Sequence, residues 1–247
     1  MNYPFKNQWP ICLCSLLAVS VFAASARAQF ANGGFETGNF SSWKLELPRV
    51  ASPYRLGKIP VGTAQVISSS SQLVFPTFDR TATGGNFFAA LHTLDRGSFP
   101  GHRNFSLTLS QQLSLDEHDT VSGWASFFFN GDYEPQDCAW VKIFDPTGHE
   151  VANPWREGSG LLNGGDSNSA PYLSATPWTH WQWEAPADGL YTVSLGVTAS
   201  GNTNFASYGF FDDICVQTSN PVVPEPSALA LWATGALLLT GRRLRGQ

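Results

Sequence analysis

Charge is scarce in this sequence: Asp, Glu, Lys and Arg make up 13% of its 247 residues. Bases are scarcer still. Between residues 29 and 220, nine Lys and Arg face eighteen Asp and Glu, a net of −9. A field of that sign repels polyanions, which excludes a nucleic-acid binder that works by neutralising phosphates and a module that docks electrostatically on a membrane surface. Catalytic patterns are missing as well. The five His (His92, His102, His118, His149, His180) form no His-x-x-x-His pair, and no Gly-x-Ser-x-Gly elbow occurs. Long amphipathic helices are also lacking, because no 3.6-residue apolar stripe of useful length runs between Phe30 and Val216. What is present is 43% hydrophobic and 13% aromatic residues with Gly 23 and Pro 16, the composition of a globular chain. About 190 residues between the two ends can bury a full core, so one domain is expected.

The ends read as addresses. Lys6 precedes an apolar run from Ile11 to Ala24, and Ala26-Arg27-Ala28 supplies small residues at the spacing a signal peptidase reads. Residues 1–28 are therefore expected to be a secretory signal peptide. The run of about 14 residues is short of the roughly 20 that a bilayer span needs. At the other end, residues 217–222 form a polar linker into Val223, Pro224, Glu225 and Pro226, followed by an apolar run from Ala228 to Thr240 and then Arg242, Arg243 and Arg245. Motif, short helix and basic stop in this order resemble the PEP-CTERM sorting signal, here residues 223–247. That resemblance implies export, a transient inner-membrane stage of the C-terminal helix, removal of the tail by an exosortase, and a destination on the cell surface or in an exopolysaccharide matrix.

Residues 29–216 read as all-β. Tyr191, Val193, Leu195 and Val197 alternate with Thr192, Ser194 and Gly196, and Ala139, Val141 and Ile143 alternate with Trp140, Lys142 and Phe144. Further strands are expected at 64–67, 86–92, 105–109, 120–129, 178–183 and 209–216, separated by turns such as Asp145-Pro146-Thr147-Gly148. This many short strands predicts a two-sheet antiparallel jelly-roll β-sandwich. The stretch Asn32-Gly33-Gly34-Phe35-Glu36 through Trp43 resembles the opening strand of carbohydrate-binding-module-like, galactose-binding-type jelly rolls, and Phe210-Phe211-Asp212-Asp213-Ile214-Cys215-Val216 resembles their closing strand.

The resemblance implies a glycan-binding or structural module with a polysaccharide ligand, and carries over a structural calcium with Glu36, Asp212 and Asp213 as its ligand candidates. From the residues themselves, Glu36 capping a turn and the aspartates accepting backbone hydrogen bonds remain an equal alternative. Trp155, Tyr172 and Trp178 are the candidate sugar-stacking aromatics, whereas Trp181 and Trp183, two apart on one strand, read as core. The alternative function is a secreted glycoside hydrolase or other matrix-modifying enzyme. Its paired carboxylates would be positioned by the fold rather than by spacing, with Glu134 and Glu184 the first to test. Cys138 and Cys215, the two thiols beyond the leader, would share an oxidising compartment and are a candidate disulfide if their strands are neighbours.

Overall fold

The computed structural model describes residues 29–51, 58–60, 62–73, 79–93, 105–130, 137–158, 173–199 and 207–219. The expected leader, the segment 220–247 with Val223 to Pro226, and the candidates Glu134 and Tyr172 lie outside the described residues.

Two antiparallel sheets face each other. The first has the order β1 (Lys44–Glu46), β6 (Phe105–Leu115), β12 (Gly189–Ala199), β8 (Cys138–Phe144), β9 (Glu150–Gly158). The second runs β10 (Leu173–Ala175), β7 (Thr120–Asn130), β13 (Tyr208–Gln217), β5 (Phe88–His92), β4 (Thr63–Ile67), with β11 (Thr179–Glu184) also paired to β7. A separate two-stranded ribbon joins β2 (Arg49–Ala51) to β3 (Lys58–Pro60). Successive long strands change sheet, β6 to β7, β7 to β8 and β12 to β13, which gives the expected jelly-roll sandwich. Among the described residues the one helical piece is a 3₁₀ turn, Ser70–Gln72, and no helix is long and apolar enough to cross a membrane.

Period-two patterning sets the layers. Leu107, Leu109, Leu113 and Leu115 of β6, Tyr191 to Val197 of β12 at every second residue, and Ala139, Val141 and Ile143 of β8 point into one buried cluster with Val121, Ala125, Phe127 and Phe129 of β7. Ser, Thr and Gln at the alternate positions face outward. Fully buried Phe35, Phe127 and Phe211 each contribute on the order of 2–3 kcal/mol of burial. Trp181 is 3% exposed in this core, and Trp183 packs against it. Gly123 makes room for the Trp181 indole, since a Cβ there would sit 2.9 Å from its Cζ2.

Three expectations are corrected. The Asn32–Trp43 stretch is not a strand but a run of tight turns, with Asn32, Phe35 and Ser42 at positive φ and hydrogen bonds from Phe35 N to Asn32 O and Gly38 N to Phe35 O. Trp155 is not exposed: only 5% accessible, it meets Phe211 edge-on at 6.1 Å between ring centroids, because its position on β9 falls in the inward row opposite Val141. Cys138 and Cys215 are both free and lie in opposite sheets, so the conditional bridge fails. A Cβ on Gly209 would touch Ala139 Cβ at 3.0 Å, so that end of β13 is the one beside Cys138. Cys215, six residues further along β13, is displaced by roughly 15–20 Å, against a bridge limit of about 7 Å.

Candidate functional site

The structure does bring the first and last segments together. β13 carries a bulge between Asp212 and Cys215, with Asp213 at φ 51, and the loop Thr83–Phe87 closes over it. Asp212 is fully buried. Its carboxylate accepts hydrogen bonds from Thr83 N at 2.7 Å, Thr83 Oγ1 at 2.8 Å and Asp213 N at 2.8 Å. Burial, with the Asp213 charge beside it, pushes the Asp212 carboxyl up to about 6 against the pull of those donors. Glu36 is exposed, and accepts from Phe87 N at 2.9 Å and Asn86 N at 2.9 Å. These amides, Phe87 first, hold its carboxyl below the usual range. Glu36 points outward because its neighbour Phe35 is driven inward, stacked on Trp43 at 5.5 Å.

Asp212 takes the hydrogen-bonding role that was the equal alternative: its Oδ2 accepts from the Thr83 loop and its Oδ1 from Asp213 N. Glu36 and Asp213 are different. A Cβ on Gly34 would lie 3.5 Å from Asp213 Oδ1 and 3.7 Å from Glu36 Cγ, so the two acidic side chains converge on one glycine-lined spot. Gly84 and Gly85 complete its rim. A Cβ on Gly84 would fall 2.5 Å from Asp213 Oδ2, and one on Gly85 2.6 Å from Glu36 Oε2. Among the described residues no Lys or Arg pairs with these acids. No group of three His, Cys, Asp or Glu side chains there could hold a metal by itself. Two carboxylates with glycine backbone around them fit a hard cation only if carbonyl oxygens and water supply the remaining ligands.

A second feature was missed from the sequence. The outward rows of β6, β12 and β8 form the floor of a groove of about 670 Å³ on the five-stranded sheet, lined among others by Thr108, Ser110, Gln112, Thr192, Ser194 and Trp140. β12 places Gly196 beside Trp140 of β8, and the indole lies across the glycine; a Cβ there would come within 2.6 Å of Trp140 Cη2. Trp140 Nε1 donates to Thr198 Oγ1 at 2.9 Å, which fixes the ring's rotation. Lys142 Nζ sits 5.1 Å from the ring centroid and 2.7 Å from Glu150 Oε2. Phe144 closes the groove at the far end of β8, and β1 walls the opposite side with Lys44 and Glu46, paired at 2.5 Å. Gln111, in the inward row, holds the chain start in place by donating to Ala31 O and Ser42 O, both at 3.1 Å.

The other candidates are elsewhere. Trp178 is half-buried beside β11, its Nε1 donating to Thr81 O at 3.0 Å and its ring edge-on to Phe88 at 5.6 Å. Glu184 is exposed at the end of the other sheet, 2.6 Å from His118 Nδ1, and this contact raises the His118 pKa.

No family model and no curated protein matches the chain. Solved structures of similar shape include a family 61 carbohydrate-binding module in complex with β-1,4-galactotriose, 19% identical, covering 78% of this chain and 100% of that one at a TM-score of 0.45. The K3 cleaved adhesin domain of Lys-gingipain from Porphyromonas gingivalis is 16% identical, covering 78% of this chain and 100% of that one at 0.41. The C-terminal family 22 carbohydrate-binding module of Clostridium thermocellum Xyn10B is 13% identical, covering 78% and 99% at 0.34.

Proposed function

We propose that this chain is an exported β-sandwich that binds glycan, without turning it over, in the groove on its five-stranded sheet. The observation that carries the reading is a groove floor of Ser, Thr and Gln side chains, with the Trp140 indole, 8% exposed and packed across Gly196, in its lining. Neutral hydroxyl and amide groups beside the accessible part of an indole are the chemistry that recognises a sugar, its hydroxyls by hydrogen bonds and its C–H groups by contact. Among the described lining residues Glu46 is the only carboxylate, and Lys44 already holds it. Glycoside hydrolysis needs two carboxyl groups flanking the bond, so binding is favoured over cleavage.

The rest of the reading comes from the sequence. A signal peptidase removes residues 1–28, an exosortase removes the tail after Val223 to Pro226, and the module remains at the cell surface or in an exopolysaccharide matrix. Mass spectrometry of surface-associated protein should then find neither end; an intact peptide containing Arg245 would sink the tail claim. Glu36 and Asp213 hold a structural calcium whose role is to tie the chain start and the Thr83–Phe87 loop to β13. The function is tested by screening the exported protein against a glycan array that includes β-1,4-galactotriose, alongside a reducing-sugar assay. Binding that disappears in Trp140→Ala, with no sugar released, supports the proposal. Release of sugar, or binding indifferent to Trp140, refutes it.

A further inference from the structure

The outer face of the six-stranded sheet is roofed over only half its length. Leu73, Ala82, Ala175 and Trp178 pack down on Phe88, Ala90, Phe128, Tyr208 and Phe210 and form a second small core. Past that roof the outward row of β7 presents Trp124, in a second groove also lined by Gln29, Phe30, Gly33 and Gly34 of the chain start. The Trp124 ring is half-exposed and meets the exposed His180 of β11 edge-on at 5.1 Å. Among the described residues, Trp124 is the outward aromatic of β7 that lies outside this second core. The groove is about 680 Å³, with Ser122, Asp213, Cys215 and Gln217 also in its lining. Those groups are hydroxyl, amide, thiol and imidazole, and Asp213 is the one carboxylate in the lining.

We infer that this groove is a second saccharide site, taking a neutral oligosaccharide. The ligand class follows from the lining: one aromatic face among short uncharged donors and acceptors suits a polyhydroxylated ring. The net charge of −9 over residues 29–220 disfavours an anionic occupant. This groove shares no lining residue with the first, which lies on the opposite sheet. It extends the glycan-binding reading and rests on it for the chemistry of the ligand. The consequence is new: a chain with sites on two opposite faces bridges two polysaccharide strands, so it cross-links a matrix rather than only adhering to it.

Cys215 supplies a clean block. It is exposed and lines the second groove, whereas Cys138 is buried, so a maleimide-polyethylene glycol reagent applied to native protein lacking residues 1–28, which carry Cys12 and Cys14, modifies the second groove alone. Binding stoichiometry would be measured by calorimetry with cellotetraose, xylotetraose and β-1,4-galactotetraose, and bridging by agglutination of beads coated with the matching polysaccharide. The expected result is a fall from two saccharides per chain to one, with agglutination lost and the first site unchanged. Trp140→Ala should leave one site and also stop agglutination. His180→Ala, an exposed position, should weaken the second site alone by about three- to tenfold. One saccharide per chain in the unmodified protein, unaffected by alkylation and abolished by Trp140→Ala, overturns this inference and leaves the first site standing. Absence of any binding in the unmodified protein overturns both.

Discussion

Gly196→Ala isolates the seat of the first groove, because the new methyl occupies the place of the Trp140 ring, with Cη2 2.6 Å from the Cβ position. The indole must lift off β12, since the neighbouring backbone cannot retreat from the centre of a five-stranded sheet. A buried Trp covers about 150–250 Å², and losing half of that contact costs about 2–3 kcal/mol at 25 cal/mol per Å². The hydrogen bond from Trp140 Nε1 to Thr198 Oγ1 goes with it, about 1 kcal/mol more. Replacing Gly by Ala within a strand returns about 0.5–1 kcal/mol of backbone entropy. The net expectation is a destabilisation of about 2–3 kcal/mol in urea titrations at unchanged slope. Glycan binding at that site should fall with it while the sheet persists by circular dichroism. A variant as stable as the parent, with binding intact, would refute the claim that glycine seats the ring.

Calcium should raise the melting temperature of the parent, a linkage of about 2.7 kcal/mol at a hundredfold excess over the dissociation constant, and Glu36→Ala should abolish the rise; identical melting curves in chelator and in calcium would remove the site. In chelator, the folded-state carboxyl of Asp212 is raised from 3.8 to about 6, so its ionised form opposes folding. That penalty is absent below pH 3.8, grows through the window up to about 6 and is complete above it. Stability of the parent relative to Asp212→Asn should therefore fall by about 2 kcal/mol after solvent screening as pH rises from about 4 to 7, and a flat difference contradicts the assignment. In protein lacking residues 1–28, and with them Cys12 and Cys14, alkylation should label Cys215 alone in the native state and Cys138 as well after denaturation without reductant, whereas protection of both after denaturation would restore the bridge that the separation of β8 and β13 excludes.

Much of the fold was legible because its long strands alternate over most of their length, while β6, expected at 105–109, runs on to Leu115. β12 was expected at 190–197 and runs Gly189–Ala199; β7 and β13 likewise begin and end within a residue or two of the expected bounds. Short pieces were not. β1 and β10 have three residues each, too few for a period to show, and β9 carries Pro154, a residue that argues against a strand yet is accommodated on this sheet edge. The turn-rich start was misread for a related reason: Asn32-Gly33-Gly34 signals turns, but resemblance to an opening strand outweighed that local chemistry. Of the site, the approach of Glu36 to Asp213 was expected, while the burial of Asp212 was not, because a bulge shifts which of two adjacent aspartates faces out. Trp140 was within reach. Ala139, Val141 and Ile143 mark the inward row of β8, so Trp140 and Phe144 had to face outward, and an outward Trp is the informative residue. What sequence could not supply is the pairing that places Gly196 beneath it, a non-local register between β8 and β12.

The central claim is that the outward face of the five-stranded sheet, organised by Trp140, is a glycan-binding surface. The most direct test is calorimetric titration of the parent and Trp140→Ala with the saccharides that score on the array, reducing ends being counted in the same samples. Saturable binding by the parent, loss of that binding in Trp140→Ala at unchanged circular dichroism, and no new reducing ends is the predicted result. Equal binding by both proteins, or release of sugar by the parent, would contradict it.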